Sequence, residues 1–211
     1  MFEVEYKGAN CVTVSSKKAT IIVDPKLSVV GLKDANVKDS VELATEARFA
    51  VNSEDAKIVI EGPGEYGIAD FDITGVAAQR HLDAESDPKA STIYRIEGTD
   101  IRAAVIGNIY EKLSETQLEE IGIVDVLIIP VGGSGYTLDA TGATTITRQI
   151  DPKVVVPVHY ADPALKYEVS QSEVDVFISE LGAPVEEAPK LKLKNSSALP
   201  QVLTVYKLAR S

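Results

Sequence analysis

Histidine and cysteine are scarce in this 211-residue chain, which holds two of the first and one of the second. A lone cysteine closes no internal disulfide, so a secreted domain held together by bridges is excluded. Cys11 itself lies in an apolar alternating run, where a buried thiol is expected. No cysteine pair or carboxylate cluster has metal-ligand spacing. No apolar run approaches the roughly 20 residues that cross a bilayer. The opening Met1-Phe2-Glu3-Val4-Glu5-Tyr6 lacks a basic segment followed by an apolar block, so no signal peptide is read. Positive charge is short as well: 21 Lys and Arg against 32 Asp and Glu leave a net charge of −11. Long-range repulsion then opposes polyphosphates and anionic lipid. The expectation is a soluble, acidic, cytoplasmic protein with no nucleic-acid or membrane partner.

What the chain does hold is ample apolar material, 45% of residues, enough for a sizeable core. Strand patterns are read at residues 2–6, 11–14, 20–23, 41–43 and 57–60, then at 71–78, 92–96 and 101–106. Residues 26–40 give mixed signals, and Glu61-Gly62-Pro63-Gly64-Glu65-Tyr66 reads as a turn-rich loop, as does the polar stretch His81–Ala90. Ser114 and Gln117 form a capping box for a helix over 115–121, and Asp139 or Thr141 caps a second helix ending at Ile150. Asp125–Val131 is the most apolar strand pattern, and Lys153–Val158 is another buried one. A third, amphipathic helix is expected over 172–181 before Gly182, followed by strands at 190–194 and 201–208. The result is mixed α/β, with two β-rich halves and no linker, so residues 1–211 read as one domain.

Both histidines, His81 and His159, fall where predicted strands give way to loops, and Asn108 occupies a third strand end. Sheet-based proteins place sites there, although a histidine so placed also serves structure alone. Gly132-Gly133-Ser134-Gly135 could cradle an anion on its amides or simply allow a sharp strand exit. Ser134 is no nucleophile elbow, because Tyr136 stands where the pattern needs glycine.

Several ordered stretches together resemble the metallo-β-lactamase superfamily, in its small hydrolase-like branch. They are Gly8-Ala9-Asn10-Cys11, Thr20-Ile21-Ile22-Val23-Asp24-Pro25, Gly62-Pro63-Gly64-Glu65-Tyr66, Ser91–Ile96, Ile128–Gly133 with Tyr136–Ala140, and Val156-Pro157-Val158-His159-Tyr160. The resemblance implies an αββα sandwich, two mainly antiparallel sheets packed face to face with helices outside, and a one- or two-metal site at one edge. The family's metal loop is Thr-His-x-His-x-Asp-His. Aligned on Thr45, this chain has Glu46, Arg48, Ala50 and Val51 at its ligand positions. His81 and His159 match later metal histidines, Asn108 replaces the bridging aspartate, and Ala9 replaces a histidine common near the first strand.

Two readings follow. In one, the chain keeps the fold but has lost the metal and the catalysis, serving as a binding or interaction module with no cofactor, its partner a small anionic ligand, another protein or a second copy. In the other it is a hydrolase with a mononuclear zinc or similar ion on His81, His159 and Glu46. If its guanidinium projects into the old metal cavity, Arg48 repels a divalent cation and pairs with Glu46 or an anionic ligand; otherwise Arg48 and Glu46 are solvated surface charges on a remodelled loop.

Overall fold

Side-chain alternation builds the first sheet. In chain order its strands are Phe2–Gly8 (β1), Cys11–Ser15 (β2), Thr20–Val23 (β3), Val41–Leu43 (β4) and Ile58–Ile60 (β5). Along β1, Phe2, Val4 and Tyr6 turn inward and are buried, while Glu3, Glu5 and Lys7 stay partly exposed. The second sheet begins with Gly64–Ile68 (β6), Phe71–Ala78 (β7), Ser91–Gly98 (β8) and Ile101–Val105 (β9). After helix Glu115–Ile121 (α1) come Val126–Pro130 (β10), helix Ala140–Ile150 (α2) and Val154–Val158 (β11). Helix Val174–Leu181 (α3) precedes Val185–Ala188 (β12), Leu191–Leu193 (β13) and Thr204–Leu208 (β14). The computed structural model describes residues 1–81 and 91–211. The rest of the loop expected after His81 lies outside the described residues.

The sheets have the orders β13-β1-β2-β3-β4-β5 and β12-β14-β11-β10-β9-β8-β7-β6. Their facing sides share one core, in which Phe2, Val4, Tyr6 and Ile21 meet Phe71, Tyr94, Ile96 and Ile128. Strands β10 and β11 are buried on both faces, as their unbroken apolar runs require. The outer face of the eight-stranded sheet is closed by the three helices, through Ile121, Ile146, Val174 and Phe177. Across the other sheet, the outer layer is a 3-10 turn at Leu27–Val30 with loop residues Val37 and Leu165.

Three expectations change. The sheets are mixed rather than mainly antiparallel: β3-β4-β5 and the run β9-β10-β11-β14-β12 are parallel. Crossovers through α1 and α2 impose this, because a strand that returns past a helix re-enters in the same direction. Of the stretch expected to be a loop, 61–63 is one, but Gly64–Tyr66 belong to β6, an edge strand against β7 in which Gly64 takes φ 154°. β12 was not anticipated, since its Val-Glu-Glu-Ala sequence carries no clear alternation.

Candidate functional site

Strand ends converge on one edge of the sandwich. The β1–β2 turn brings Ala9 and Asn10, β3 delivers Asp24, β4 runs into the 3-10 turn at Ala47–Phe49, and β11 ends at His159. These residues, with Lys26, Leu27, Val30, Arg48, Tyr136, Tyr167 and Gln171 among their neighbours, line a cleft holding about 120 Å³. Ala9, Asp24 and His159 have φ of 47°, 49° and 51°. That left-handed conformation costs a non-glycine residue on the order of 1 kcal/mol. Three such residues around one cleft are held there by the packing behind them.

Asp24 fixes the loop that follows β4. Its carboxylate accepts from the Thr45 amide at 2.7 Å and from Thr45 Oγ1 at 2.7 Å. Burial pushes the Asp24 carboxyl up to about 7, against the two Thr45 bonds, which favour the ionised form. The Thr45 carbonyl in turn accepts from the Thr92 amide at 2.8 Å, joining this loop to the second sheet. Gly107 leaves room for Thr45, because a Cβ there would lie 2.6 Å from Thr45 Oγ1.

Next along the loop, the Glu46 carboxylate is buried, 3% exposed. Arg48 grips it with Nε at 2.8 Å and Nη2 at 3.2 Å, and Arg80 Nη1 lies 3.7 Å away. The Arg48 guanidinium also sits 4.6 Å from the Phe49 ring centroid and 5.3 Å from that of Tyr136, within reach of both π faces. On its other side Glu46 accepts from Asn108 Nδ2 at 3.5 Å, and Asn108 Oδ1 accepts from Asn10 Nδ2 at 3.0 Å.

His159 packs between Tyr136, stacked at 5.6 Å, and Tyr167, at 4.8 Å. Its Nδ1 lies 3.2 Å from Gln171 Oε1, and its amide donates to the Ala9 carbonyl at 2.8 Å. Burial lowers its pKa to about 4, so the ring is neutral near pH 7. Gly132 makes this arrangement possible, since a Cβ there would lie 2.2 Å from the His159 carbonyl oxygen and 2.3 Å from Gln171 Oε1. Gly132 and Gly133 thus form a close-packed strand exit, and Ser134 and Gly135 beyond them are exposed. The Gly133 amide is committed to the Leu138 carbonyl at 2.9 Å rather than left for an anion.

The structure therefore brings Glu46, Arg48, Asn108 and His159 to one place. Ala50 is buried, and the Val51 amide donates to Glu42 Oε1, but neither residue is part of the cleft wall. His81 is tied to the neighbourhood by its backbone, whose amide donates to the Asn108 carbonyl at 2.8 Å. Its ring turns to the Ile109 carbonyl, with Nδ1 at 3.3 Å, and is not part of the cleft wall. Residues that the sequence did not mark as functional include Asn10, Asp24, Arg80, Tyr136, Tyr167 and Gln171. Asp24 carried a signal, a carboxylate between an apolar strand and a proline, which entered the sequence reading only as part of a family-like stretch. Gln171 carried none, because its role depends on a loop folding back onto His159.

A metal is implied by the fold, so the donor set matters. Among the described residues, no group of three or more His, Cys, Asp or Glu side chains gathers as an ion needs. Glu46 is engaged by a guanidinium, Asn108 Oδ1 by Asn10, and Ala50 and Val51 offer no side-chain donor. As arranged, these residues do not fit a divalent cation, which needs several fixed ligands of suitable charge.

Two packed mixed sheets with helices outside and a site at the edge define the metallo-β-lactamase fold. A family model of the beta-lactamase superfamily domain matches residues 3–159, and the chain belongs to that superfamily. Among solved structures it is similar to a Thermotoga maritima protein assigned as a zinc-dependent hydrolase of the metallo-beta-lactamase superfamily, at 24% identity and TM-score 0.78, covering 99% of this chain and 100% of that one. Igni18, a metallo hydrolase from Ignicoccus hospitalis, matches at 18% identity and TM-score 0.65 over 99% of this chain and 94% of its own. CmlA, a diiron beta-hydroxylase from Streptomyces venezuelae, matches at 13% identity and TM-score 0.60 over 85% of this chain and 49% of its own. At these identities the likeness shows the fold. No curated protein sequence matches the chain.

Proposed function

We propose that this chain is a superfamily member that has given up metal-dependent catalysis and binds a small anionic ligand in the cleft. The observation that carries the reading is Arg48. Aligned on Thr45 it takes the place of a metal histidine of the family loop; it lines the cleft and grips the buried Glu46 with two nitrogens. A fixed guanidinium there opposes a divalent cation electrostatically and keeps N–H donors beyond those spent on Glu46 for an anion, in a wall that also carries the Asp24 and Glu168 carboxylates. Lys26 adds a second cation to the same wall, and apolar Leu27, Val30 and Phe49 offer surface for a ligand body. The mononuclear hydrolase reading would need the His81 ring to leave the Ile109 carbonyl and Arg48 to release Glu46. The absence of a membrane-length apolar helix among the described residues and the single buried Cys11 are compatible with a cytoplasmic protein.

Elemental analysis of protein purified without chelator tests the loss of metal. The expected content is well below one zinc, iron or manganese per chain, with a thermal midpoint unchanged by EDTA. A stoichiometric ion whose removal lowers the midpoint overturns the reading, because a bound metal stabilises the state that binds it.

A further inference from the structure

Hydrogen bonds in the cleft wall run in one direction. The Glu46 carboxylate only accepts, so Asn108 must turn Nδ2 toward it. Asn108 Oδ1 then faces Asn10, which must answer with its own Nδ2, at 3.0 Å. The relay ends on Asn10 Oδ1, a buried acceptor with no hydrogen-bond partner among the described residues. Asn10 is only 4% exposed and lines the cleft. A buried oxygen left in this state is destabilising until a donor reaches it.

A second acceptor belongs to the same cleft. Gln171 Nε2 donates to the Val169 carbonyl at 3.0 Å, which turns Gln171 Oε1 toward His159 Nδ1. Nδ1 therefore carries the proton, and in the neutral ring Nε2 is left as a lone pair. The His159 amide donates to the carbonyl of Ala9, the residue before Asn10, and Asn10 and His159 line the same cleft. The cleft thus combines acceptors at Asn10 and His159 with a cation at Arg48, and one carboxylate, Glu46, anchors both the cation and the relay. A bare oxyanion suits the cation but not the acceptors. A molecule with a carboxylate and a nearby donor suits both.

We propose that the cleft takes small carboxylic acids bearing a hydroxyl or ammonium group on the carbon next to the carboxylate. The carboxylate lies toward Arg48, the donor on Asn10 Oδ1 and His159 Nε2, and an apolar side chain against Leu27, Val30 and Phe49. This inference rests on the anionic-ligand reading above and narrows it. A site built to bond a donor rejects the analogue that lacks it, leaving its own acceptors unpaired.

Three probes share one skeleton and differ only at the decisive carbon: 3-phenyllactate, phenylalanine and 3-phenylpropionate. Titrating each into isotope-labelled protein, followed by amide chemical shifts, should show 3-phenyllactate or phenylalanine binding at least about tenfold tighter than 3-phenylpropionate. Asn10→Ala should bring that ratio several-fold closer to one. His159→Phe should reduce the ratio in the same sense, and serves if Asn10→Ala does not fold. Equal affinity for all three probes overturns this inference and leaves the anionic reading standing. Binding of none overturns both.

Discussion

Asp24 and His159 face one cleft, and burial perturbs their titrations so that their effects on stability oppose each other. The Asp24 carboxyl is raised to about 7, so between about pH 4 and 7 the folded chain keeps a proton that the unfolded chain has released. Its contribution to stability falls as pH rises through that window. His159 is lowered to about 4, so between about pH 4 and 6.5 the unfolded chain holds the extra proton, and stability from this residue rises with pH. Asp24→Asn removes the first effect and keeps the second. Relative to wild type the variant should gain stability as pH rises from 4.5 to 7, at up to about 1.4 kcal/mol per pH unit. Urea unfolding of both proteins at the two ends of the window measures this, and parallel curves would contradict the Asp24 assignment.

At Arg48 the account predicts a loss that comes from what is left behind. Arg48→Ala leaves the Glu46 carboxylate buried with weaker compensation, which should cost about 2 kcal/mol in chemical denaturation. The value stays below that of a fully buried pair because the Arg48 side chain is 41% exposed and solvent screens it. Adding Glu46→Gln to Arg48→Ala should recover part of the loss, since the stranded charge is then gone. Gly132→Ala tests the close approach of His159 and Gln171. The steric conflict should destabilise the fold by about 1–3 kcal/mol and shift the His159 ring resonances.

Helix ends and strand runs were legible in the sequence because each depends on near neighbours. The Ser114–Gln117 box is present as read, with Ser114 Oγ accepting from the Gln117 amide at 3.2 Å and Gln117 Oε1 from the Ser114 amide at 2.9 Å. Asp139, one of two residues proposed to cap α2, is the cap, accepting from the Gly142 amide at 2.8 Å. Asp139→Ala should therefore cost about 1 kcal/mol of thermal or urea stability, while Thr141→Ala should cost much less. Strands β6 and β12 were less legible. Glycines and glutamates are poor strand formers, and these edge strands take their order from pairing with β7 and β14. Parallel pairing was missed for a similar reason, since it is decided by where crossovers return rather than by the pattern within any strand.

Across the whole molecule, the ordered family-like stretches made the fold readable from sequence, and alignment on Thr45 pointed to the loop that carries Glu46 and Arg48. Their arrangement was not readable. That Arg48 turns back onto Glu46, that Asn108 links Glu46 to Asn10, and that Gln171 orients His159 are contacts across 2 to 98 residues of chain. The Asn108 contacts exist only once both sheets have closed, and the local Arg48–Glu46 pair depends on a 3-10 turn that the sequence did not announce. His81 shows the converse, a residue in the right order whose ring faces a backbone carbonyl instead of the cleft.

We propose that the Arg48–Glu46 pair occupies the seat that relatives give to a metal. Anomalous diffraction at the zinc edge, from crystals grown with excess zinc and no chelator, tests it most directly. The account predicts no zinc peak among Glu46, Asn108 and His159, with Arg48 still paired to Glu46. A zinc peak bound by Glu46 and His159, with Arg48 swung away, would contradict it.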